Sequence, residues 1–582
     1  MSLIKEVPQY LQAPEQQDYL YGKLTYNKSW KAWVIEGDPS AVEMAKRLFP
    51  GSKGMGYGTA KFPANKRNTA NLNWFLMRFP LEIKDREKWE ESRKEAVEHA
   101  IKRNEILKKP KKISPPMEFQ GELLDYQKEG LSFLLHNERT LLADEMGLGK
   151  TVTGLAWLSS LQAYPALIIV PPHLIKQWVS EIRKFLNYTA EDKNNIFNQD
   201  QGRVHVLTGL TPYELPPANI YITHYLLLRG WKKILPYFGF KGLIFDEIQS
   251  LRHSGTEKYS SASLIAENVE NVCGLSGTPI YNEGGEIWNV LNILEYHCLG
   301  DWDSFTREWC YGYGNKRVRQ PKVLGDFLKR EGLLLRRTKK DVLSELPPKR
   351  RFIQEIDVDE GLYGSMIGKA VDLAVRSEKT EDNFESGRLT REAINETRRV
   401  TGIAKAKYVC DFVKGLLDAG EKVILYAYHH DVWDIYHKYL DDYRPAKITG
   451  KQNSNEKDEA QRNFMDGKTN LIFISLRSAS GLNLQQGNVV VFGELDWSPA
   501  IHTQAEDRAH RIGQKDSVLC YYLVCEEGTD QDMIEALGFK VQQFTGIMGD
   551  KTESQEDRML AQQAAKEHMQ KIVAKLKAKK IS

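Results

Sequence analysis

Through the middle of the chain, short apolar runs alternate with longer stretches of helical periodicity. Residues 140–143, 166–170, 204–207, 219–222, 242–245 and 272–275 read as strands, and the intervals between them read as helices. That alternation predicts a parallel sheet covered on both faces. After a mostly helical interval, 283–417, it resumes at 422–426, 471–474, 489–492 and 518–524, so two α/β lobes in series are expected. Before them, residues 1–80 alternate aromatic and polar positions (Tyr19, Tyr21, Leu24, Tyr26, then Trp30, Trp33, Ile35) ahead of a helical run at 41–49, which predicts a hairpin and then a helix. Residues 84–112 turn to Glu, Lys and Arg and end in Lys108, Lys109, Lys111 and Lys112 among prolines. They predict a solvated helix followed by an extended linker. Near the end, Met569, Ile572, Val573 and Leu576 fall at i, i+3, i+4 and i+7 among lysines, the pattern of a basic amphipathic helix. It reads equally as a nucleic-acid contact or as a helix docked on its own protein.

The expected organisation is a small α+β accessory domain (1–83), a charged helix and linker (84–116), a first lobe (117–282), helical insertions (283–400), a second lobe (401–545) and a basic C-terminal helix (546–582). With 582 residues, 41% hydrophobic and 27% charged, the chain can bury several cores, which excludes collagen-like and wholly disordered classes. Its 81 Lys+Arg against 78 Asp+Glu leave only +3, so any phosphate-binding surface must come from local clustering. No run of about 18 apolar residues occurs and the start shows no secretory pattern. The expectation is an intracellular, soluble protein with no membrane contact, in the cytoplasm or nucleoid, or the nucleus of a eukaryote. Six scattered cysteines without a C-x-x-C pair read as buried, reduced thiols. Cys520 and Cys525 flank an apolar run and are placed on a strand rather than on a metal.

Candidate chemistry begins at Asp144-Glu145-Met146-Gly147-Leu148-Gly149-Lys150-Thr151, between an expected strand and an expected helix. Gly147 and Gly149 would let backbone N–H groups turn onto phosphates, Lys150 would reach the terminal phosphates, and the Thr151 hydroxyl would hold magnesium. Asp144 stands where the strict pattern has glycine, so the segment alone is either a phosphate loop or a chance Gly-Lys-Thr turn. About a hundred residues on, the strand Leu243-Ile244-Phe245 runs into Asp246-Glu247. Adjacent strand residues diverge, which suits Asp246 to magnesium and Glu247 to orienting and deprotonating water. Together the two segments favour a nucleotide site.

At this point the chain resembles the two-lobed helicase-like ATPases of superfamily two, specifically the SWI/SNF type. Asp144 to Thr151 matches that family's first motif, Asp included. Further matches follow in family order: Leu124-Asp125-Tyr126-Gln127, Val170-Pro171-Pro172 with Trp178, Thr223-His224-Tyr225, Leu275-Ser276-Gly277-Thr278-Pro279, Leu335-Arg336-Arg337-Thr338, Ser480-Gly481-Leu482-Asn483-Leu484, and Gln504-Ala505-Glu506-Asp507-Arg508-Ala509-His510-Arg511. The resemblance implies two tandem RecA-like lobes. It implies ATP and Mg2+ as cofactors, with Gln127 reading adenine and Asp144, Gly147, Gly149, Lys150, Thr151, Asp246, Gly481 and Gln504 around the nucleotide. Arg508 and Arg511, expected on one helical face, are implied as arginine fingers. Ser276 and Thr278 are implied to couple nucleotide to DNA, with Thr223, Ser475, Arg477 and Trp497 holding phosphates without reading sequence. Paired His429 and His430 read as surface residues.

Two departures stand out. Gln249 replaces the family's usual His, so coupling through an imidazole must run through an amide. Glu494 replaces the usual Asp, as in the branch of DNA-annealing helicases, whose members can carry a small β-rich module before the motor. The expected function is an ATP-driven translocase on double-stranded or branched DNA that remodels or reanneals it or displaces bound protein, with recombination, replication or transcription proteins as candidate partners. A strand-separating helicase and a non-hydrolysing ATP-dependent clamp or scaffold are the alternatives. The helicase requires a wedge, and no segment of the sequence stands out as one.

Overall fold

A computed structural model describes residues 19–537 except 50–51, 55–57, 110, 138, 188, 191–202, 281–282, 344, 451, 479–481 and 536. The expected C-terminal helix and Gly481 lie outside the described residues. The described residues form two compact units, one within 19–144 and 149–336 and the other within 145–148 and 337–537.

The first unit opens with a mixed sheet of β1 (Gly22–Asn27), β2 (Ala32–Gly37), β3 (Lys53–Gly54), β4 (Thr59–Pro63) and β5 (Glu82–Ile83), in the order β3-β4-β2-β1-β5. The expected hairpin is β1–β2, antiparallel with Leu24 opposite Ile35. Around it the structure adds three strands and a second helix, Lys66–Arg78. Leu24, Trp33, Ile35, Phe62, Leu72, Phe75 and Trp89 form the core of this module, where the Phe49 and Phe62 rings stack at 3.9 Å. The charged helix, Arg86–Lys108, is less solvated than its composition suggested, because Trp89, Ala96, Ala100 and Ile106 are buried on one side. The module is fastened to the rest of its unit: Arg67 and Arg103 both donate to the Glu331 carbonyl.

Helix Arg86–Lys108 also meets helix Asp125–His136 through stacked imidazoles of His99 and His136, 4.3 Å apart. Each Nε2–H donates to the other's backbone carbonyl, at 3.2 and 3.0 Å. Burial pushes His99 down to about 4, helped by His136, Lys66 and Arg103. The folded state therefore binds fewer protons than the unfolded chain between pH 6.5 and 4. Stability contributed above pH 6.5 should be lost as pH falls toward 4. Thermal melts across that range should show Tm dropping with acid, and His99→Gln, which keeps an amide donor but takes no proton, should flatten the drop. An unchanged slope would mean the pair carries no linkage.

The larger sheet of this unit joins β6 (Arg139–Leu142), β7 (Ala166–Val170), β8 (Thr189–Ala190), β9 (Arg203–Val206), β10 (Ile220–His224), β11 (Gly242–Asp246), β12 (Asn271–Leu275) and β13 (Leu334–Leu335), all parallel, in the order β13-β6-β12-β11-β7-β10-β9-β8. In β7 and β11 every residue is buried. Covered faces explain why these strands are continuous apolar runs instead of alternating ones.

The second unit carries a six-stranded parallel sheet of β14 (Lys349–Glu355), β15 (Val423–Ala427), β16 (Ala446–Ile448), β17 (Leu471–Ser475), β18 (Val489–Phe492) and β19 (Val518–Val524), in the order β14-β19-β18-β15-β17-β16. Strands β13 and β14 interrupt an interval expected to be helical. Most of that interval is helical, ending in the 36-residue helix Asn383–Asp418. All six cysteines are free and buried, and Cys520 lies in β19. The fold is thus mixed α/β with two RecA-like parallel-sheet lobes behind a small α+β region. No described helix is long and apolar enough to cross a membrane.

Candidate active site

Parallel strands deliver their C-terminal ends to one edge of a sheet, where ligands of open α/β folds bind. In the first unit the register pairs Leu142 with Leu275, Leu275 with Asp246, Phe245 with Ile169, and His224 with Val170. The segments that follow these residues therefore emerge side by side: 143–151, 276–279, 246–251, 171–178 and 225 onward. Motifs spread over 150 residues of sequence become one rim.

The loop after β6 turns through Gly147 (φ +86°) and Gly149 (φ +72°), both left-handed, before helix Lys150–Leu161. Gly149 is required for space as well. A Cβ there would lie 2.4 Å from the Gln127 side-chain nitrogen, so the Gln127 amide sits directly on the loop. Gln127 Oε1 also accepts from the Leu124 N–H at 2.9 Å, which holds the glutamine at the start of its helix. Lys150 Nζ donates to the buried Asp144 carbonyl at 2.8 Å. Burial pushes its ammonium below the ordinary range, opposed by Glu247, Asp144 and Asp246. Thr151, at the N-terminus of the same helix, is half-buried.

Burial and the neighbouring Glu247 raise the Asp246 carboxyl to about 7, against Trp178 and Lys150. Trp178 Nε1 donates to Asp246 Oδ2 at 2.7 Å, and the Glu247 N–H donates to Oδ1 at 3.0 Å. The Tyr225 hydroxyl holds the Asp246 carbonyl at 2.7 Å. Glu247 adopts a left-handed backbone (φ +50°), a conformation that costs a non-glycine residue energy and clusters at functional sites. Its carboxylate accepts a hydrogen bond from Gln249 Nε2. Gln249 Oε1 in turn accepts from the Ser276 hydroxyl at 2.6 Å, and Ser276 Oγ accepts from the Thr278 N–H at 3.1 Å. The amide donates on one side and accepts on the other, so it joins the Asp-Glu strand end to the segment after β12. Removing it should break that link: Gln249→Leu should lower DNA-stimulated turnover about tenfold or more, since it takes the partner from the Glu247 carboxylate and from the buried Ser276 hydroxyl proton, whereas Gln249→His should retain most of it. ATPase rates with and without duplex would check this. Full stimulation in the leucine variant would show that the link is idle.

Two contributors carry no sign of their role in the sequence. A tryptophan such as Trp178 does not announce that its N–H pins a carboxylate 68 residues away. Arg336 Nη1 bridges the Ala143 carbonyl (2.7 Å) and the Gly277 carbonyl (2.9 Å), tying the phosphate-loop strand to the Ser276–Thr278 segment.

The second unit holds the arginines. Its helix Pro499–Glu506 ends before them, so Arg508 and Arg511 lie in the turns that follow and not on one helical face as expected. Arg508 is buried, and its carbonyl accepts from the Leu484 N–H at 2.9 Å. Arg511 Nη1 donates to the Leu482 carbonyl at 3.2 Å and to Asn483 Oδ1. Burial, with Arg508 adding to it, lowers Arg511 to about 10. The turn is braced by Glu506 and Asp507. Glu506 takes two 2.6 Å bonds from Arg351 and one of 2.8 Å from the Tyr522 hydroxyl, and Asp507 Oδ1 lies 2.9 Å from Lys339 Nζ and 2.8 Å from Lys349 Nζ. Burial alone would raise Glu506, but Arg351 and Lys349 overcome it and hold the carboxyl near 2. Gln504 is buried on the same helix.

Other expected site residues are placed differently. Thr223 and Ser475 are buried, Ser475 as the last residue of β17 and Thr223 one residue before the end of β10. Trp497 is half-buried against the core, and Arg477 belongs to the 3-10 turn Leu476–Ser478. Of the paired histidines, His430 is exposed as expected, whereas His429 is half-buried. Its Nδ1 lies 2.6 Å from Glu494 Oε1, while Glu494 Oε2 accepts from the Tyr428 and His429 N–H groups at 2.7 and 2.9 Å.

Residues 126–399 match the SNF2-related domain, and residues 404–513 match the helicase conserved C-terminal domain. The chain belongs to the SNF2-type helicase-like family. It is 29% identical over 441 residues to the SWI/SNF-related matrix-associated actin-dependent regulator of chromatin subfamily A-like protein 1 of Xenopus tropicalis, covering 72% of this chain and 45% of that protein. The Caenorhabditis elegans homolog is 28% identical over 444 residues (73% and 61%), and the ISWI chromatin-remodeling complex ATPase CHR17 of Arabidopsis thaliana is 26% identical over 461 (73% and 42%). The SNF2-type chain thus spans about half the length of the curated relatives it matches. A solved Sulfolobus solfataricus SWI2/SNF2 ATPase core in complex with dsDNA is matched over 79% of this chain and 99% of its own at 19% identity, with a TM-score of 0.35.

Proposed function

We propose that this chain is a DNA-dependent ATPase that translocates on double-stranded DNA, remodelling or reannealing DNA structures or displacing bound protein. The observation that carries the reading is the link Glu247–Gln249–Ser276–Thr278, which joins the candidate water-activating carboxylate to the segment that the family implies in DNA coupling. The donor set suits a magnesium nucleotide: a glycine cradle, a lysine among carboxylates, and a hydroxyl with a carboxylate at Thr151 and Asp246. Magnesium bound by Thr151 and Asp246 would neutralise phosphate charge. Lys150 gives up the Asp144 carbonyl to meet phosphate, Glu247 accepts the proton of the attacking water, and Arg508 and Arg511 supply positive charge to the transition state.

Glu494 supports the annealing branch as the finer reading. Its extra methylene, relative to Asp, lets one carboxylate cap two backbone N–H groups and hold His429. A non-hydrolysing clamp is disfavoured because the hydrolytic residues are present together.

Turnover measured with and without duplex DNA tests the proposal. Duplexes of scrambled sequence should stimulate equally, and stimulation should fall as salt rises, since phosphate contacts release counterions. No stimulation by any duplex, or a strong dependence on one sequence, would overturn it.

A further inference from the structure

Between helix Trp302–Trp309 and helix Pro321–Arg330 the first unit projects a tight hairpin. Cys310 and Val318 pair as an antiparallel bridge and are both buried. The Tyr311 N–H donates to the Arg317 carbonyl at 3.2 Å, and the Arg319 N–H donates to the Trp309 carbonyl at 2.8 Å. The tip turns through Gly312 (φ +118°) and Gly314 (φ +72°), with the Gly314 N–H on Thr306 Oγ1 at 3.3 Å. From this anchored base two tyrosines stand out into solvent, Tyr311 at 59% and Tyr313 at 69% exposure. Lys316, Arg317 and Arg319 are exposed beside them.

The two rings are largely exposed and alternate with glycine, with the Arg317 guanidinium 5.7 Å from the Tyr311 ring. Across residues 305–322 five cations (Arg307, Lys316, Arg317, Arg319, Lys322) face one carboxylate, Glu308, which is itself paired with Arg307. Aromatic faces for stacking and cations for phosphate are what an unpaired nucleic-acid strand requires. Location adds a second argument. The Lys316 carbonyl accepts from the Gly285 N–H at 2.7 Å, and Glu286 lies 3.8 Å from Arg252, five residues beyond Glu247. The hairpin therefore rises from the same rim of the sheet that carries the candidate active site.

We propose that the 309–319 hairpin stacks Tyr311 and Tyr313 on unpaired bases where a DNA duplex opens into single strands. This rests on the DNA reading above and deepens it: the preferred substrate is a junction between paired and unpaired DNA. No bond is made or broken; the contact is stacking plus phosphate pairing.

The test compares a forked DNA carrying 2-aminopurine at the first unpaired position with a fully paired duplex of the same length. Wild-type protein should change the 2-aminopurine fluorescence and bind the fork more tightly than the duplex. Tyr311→Ala/Tyr313→Ala should reduce that preference roughly tenfold or more, as loss of base–aromatic stacking does, whereas Tyr311→Phe/Tyr313→Phe should keep both preference and signal because the rings remain. A double-alanine variant with wild-type preference would overturn the hairpin proposal and leave the translocase reading intact. A wild-type protein that no DNA stimulates would overturn both.

Discussion

Lys150→Ala and Glu247→Gln should each reduce ATP turnover by about 10²–10⁴-fold, the range expected for a lost general base or a lost phosphate counter-charge. The structure separates the two by stability. Lys150 is the cation among Asp144, Asp246 and Glu247, so its removal leaves like charges unopposed and should lower Tm. Glu247→Gln removes the carboxylate that helps to raise Asp246 while keeping an oxygen for Gln249, so its Tm should be equal to or above that of wild type. Phosphate release under saturating ATP and duplex, with thermal melts of the same preparations, reads both effects. Near-normal turnover in either variant would remove that residue from the mechanism. A lower Tm for Glu247→Gln would contradict the electrostatic account of the pair.

An equally large loss is expected at the arginines. Arg508→Ala or Arg511→Ala should slow turnover by roughly 10³-fold, the lower end of what arginine fingers contribute, with ATP affinity changed far less. Lysine should not rescue, because an ammonium cannot reproduce a planar fork. The two positions should differ in stability. Arg508 is buried in a turn braced by Glu506 and Asp507, so its loss should also lower Tm. Arg511, half-buried and held by the Leu482 carbonyl and Asn483, should be replaced with less damage. Nucleotide titrations beside steady-state rates decide the matter. If weaker ATP binding accounts for the whole rate defect, these arginines are binding groups and not transition-state stabilisers.

The charged, paired residues under that turn were not legible in advance. Glu506 and Asp507 belong to a motif that the sequence shows, but nothing in it pairs them with Lys339, Lys349 and Arg351, which lie more than 150 positions away. Only the pairing of β14 with β19 brings Lys349 and Arg351 beneath the motif. Burial is likewise set by packing: Thr223 and Ser475 are covered by the strands beside them, which their hydroxyls alone do not announce.

What the sequence determined by itself was the two lobes and the turns at their strand ends. Apolar runs of four to seven residues separated by helical periods have few solutions besides covered parallel strands, and Gly147 and Gly149 mark a left-handed turn that a short segment encodes by itself. What only the tertiary structure decided was everything that depends on which strands lie next to one another. Strand order carries β6 beside β12 and β12 beside β11, and that order makes a chain of hydrogen bonds from Glu247 through Gln249 to Ser276. It also sets Trp178 on Asp246, places Arg336 across two loops, and leaves Tyr311 and Tyr313 in solvent. Local periodicity reports which face of an element is apolar, not which element will cover it, so contacts between distant segments come from packing.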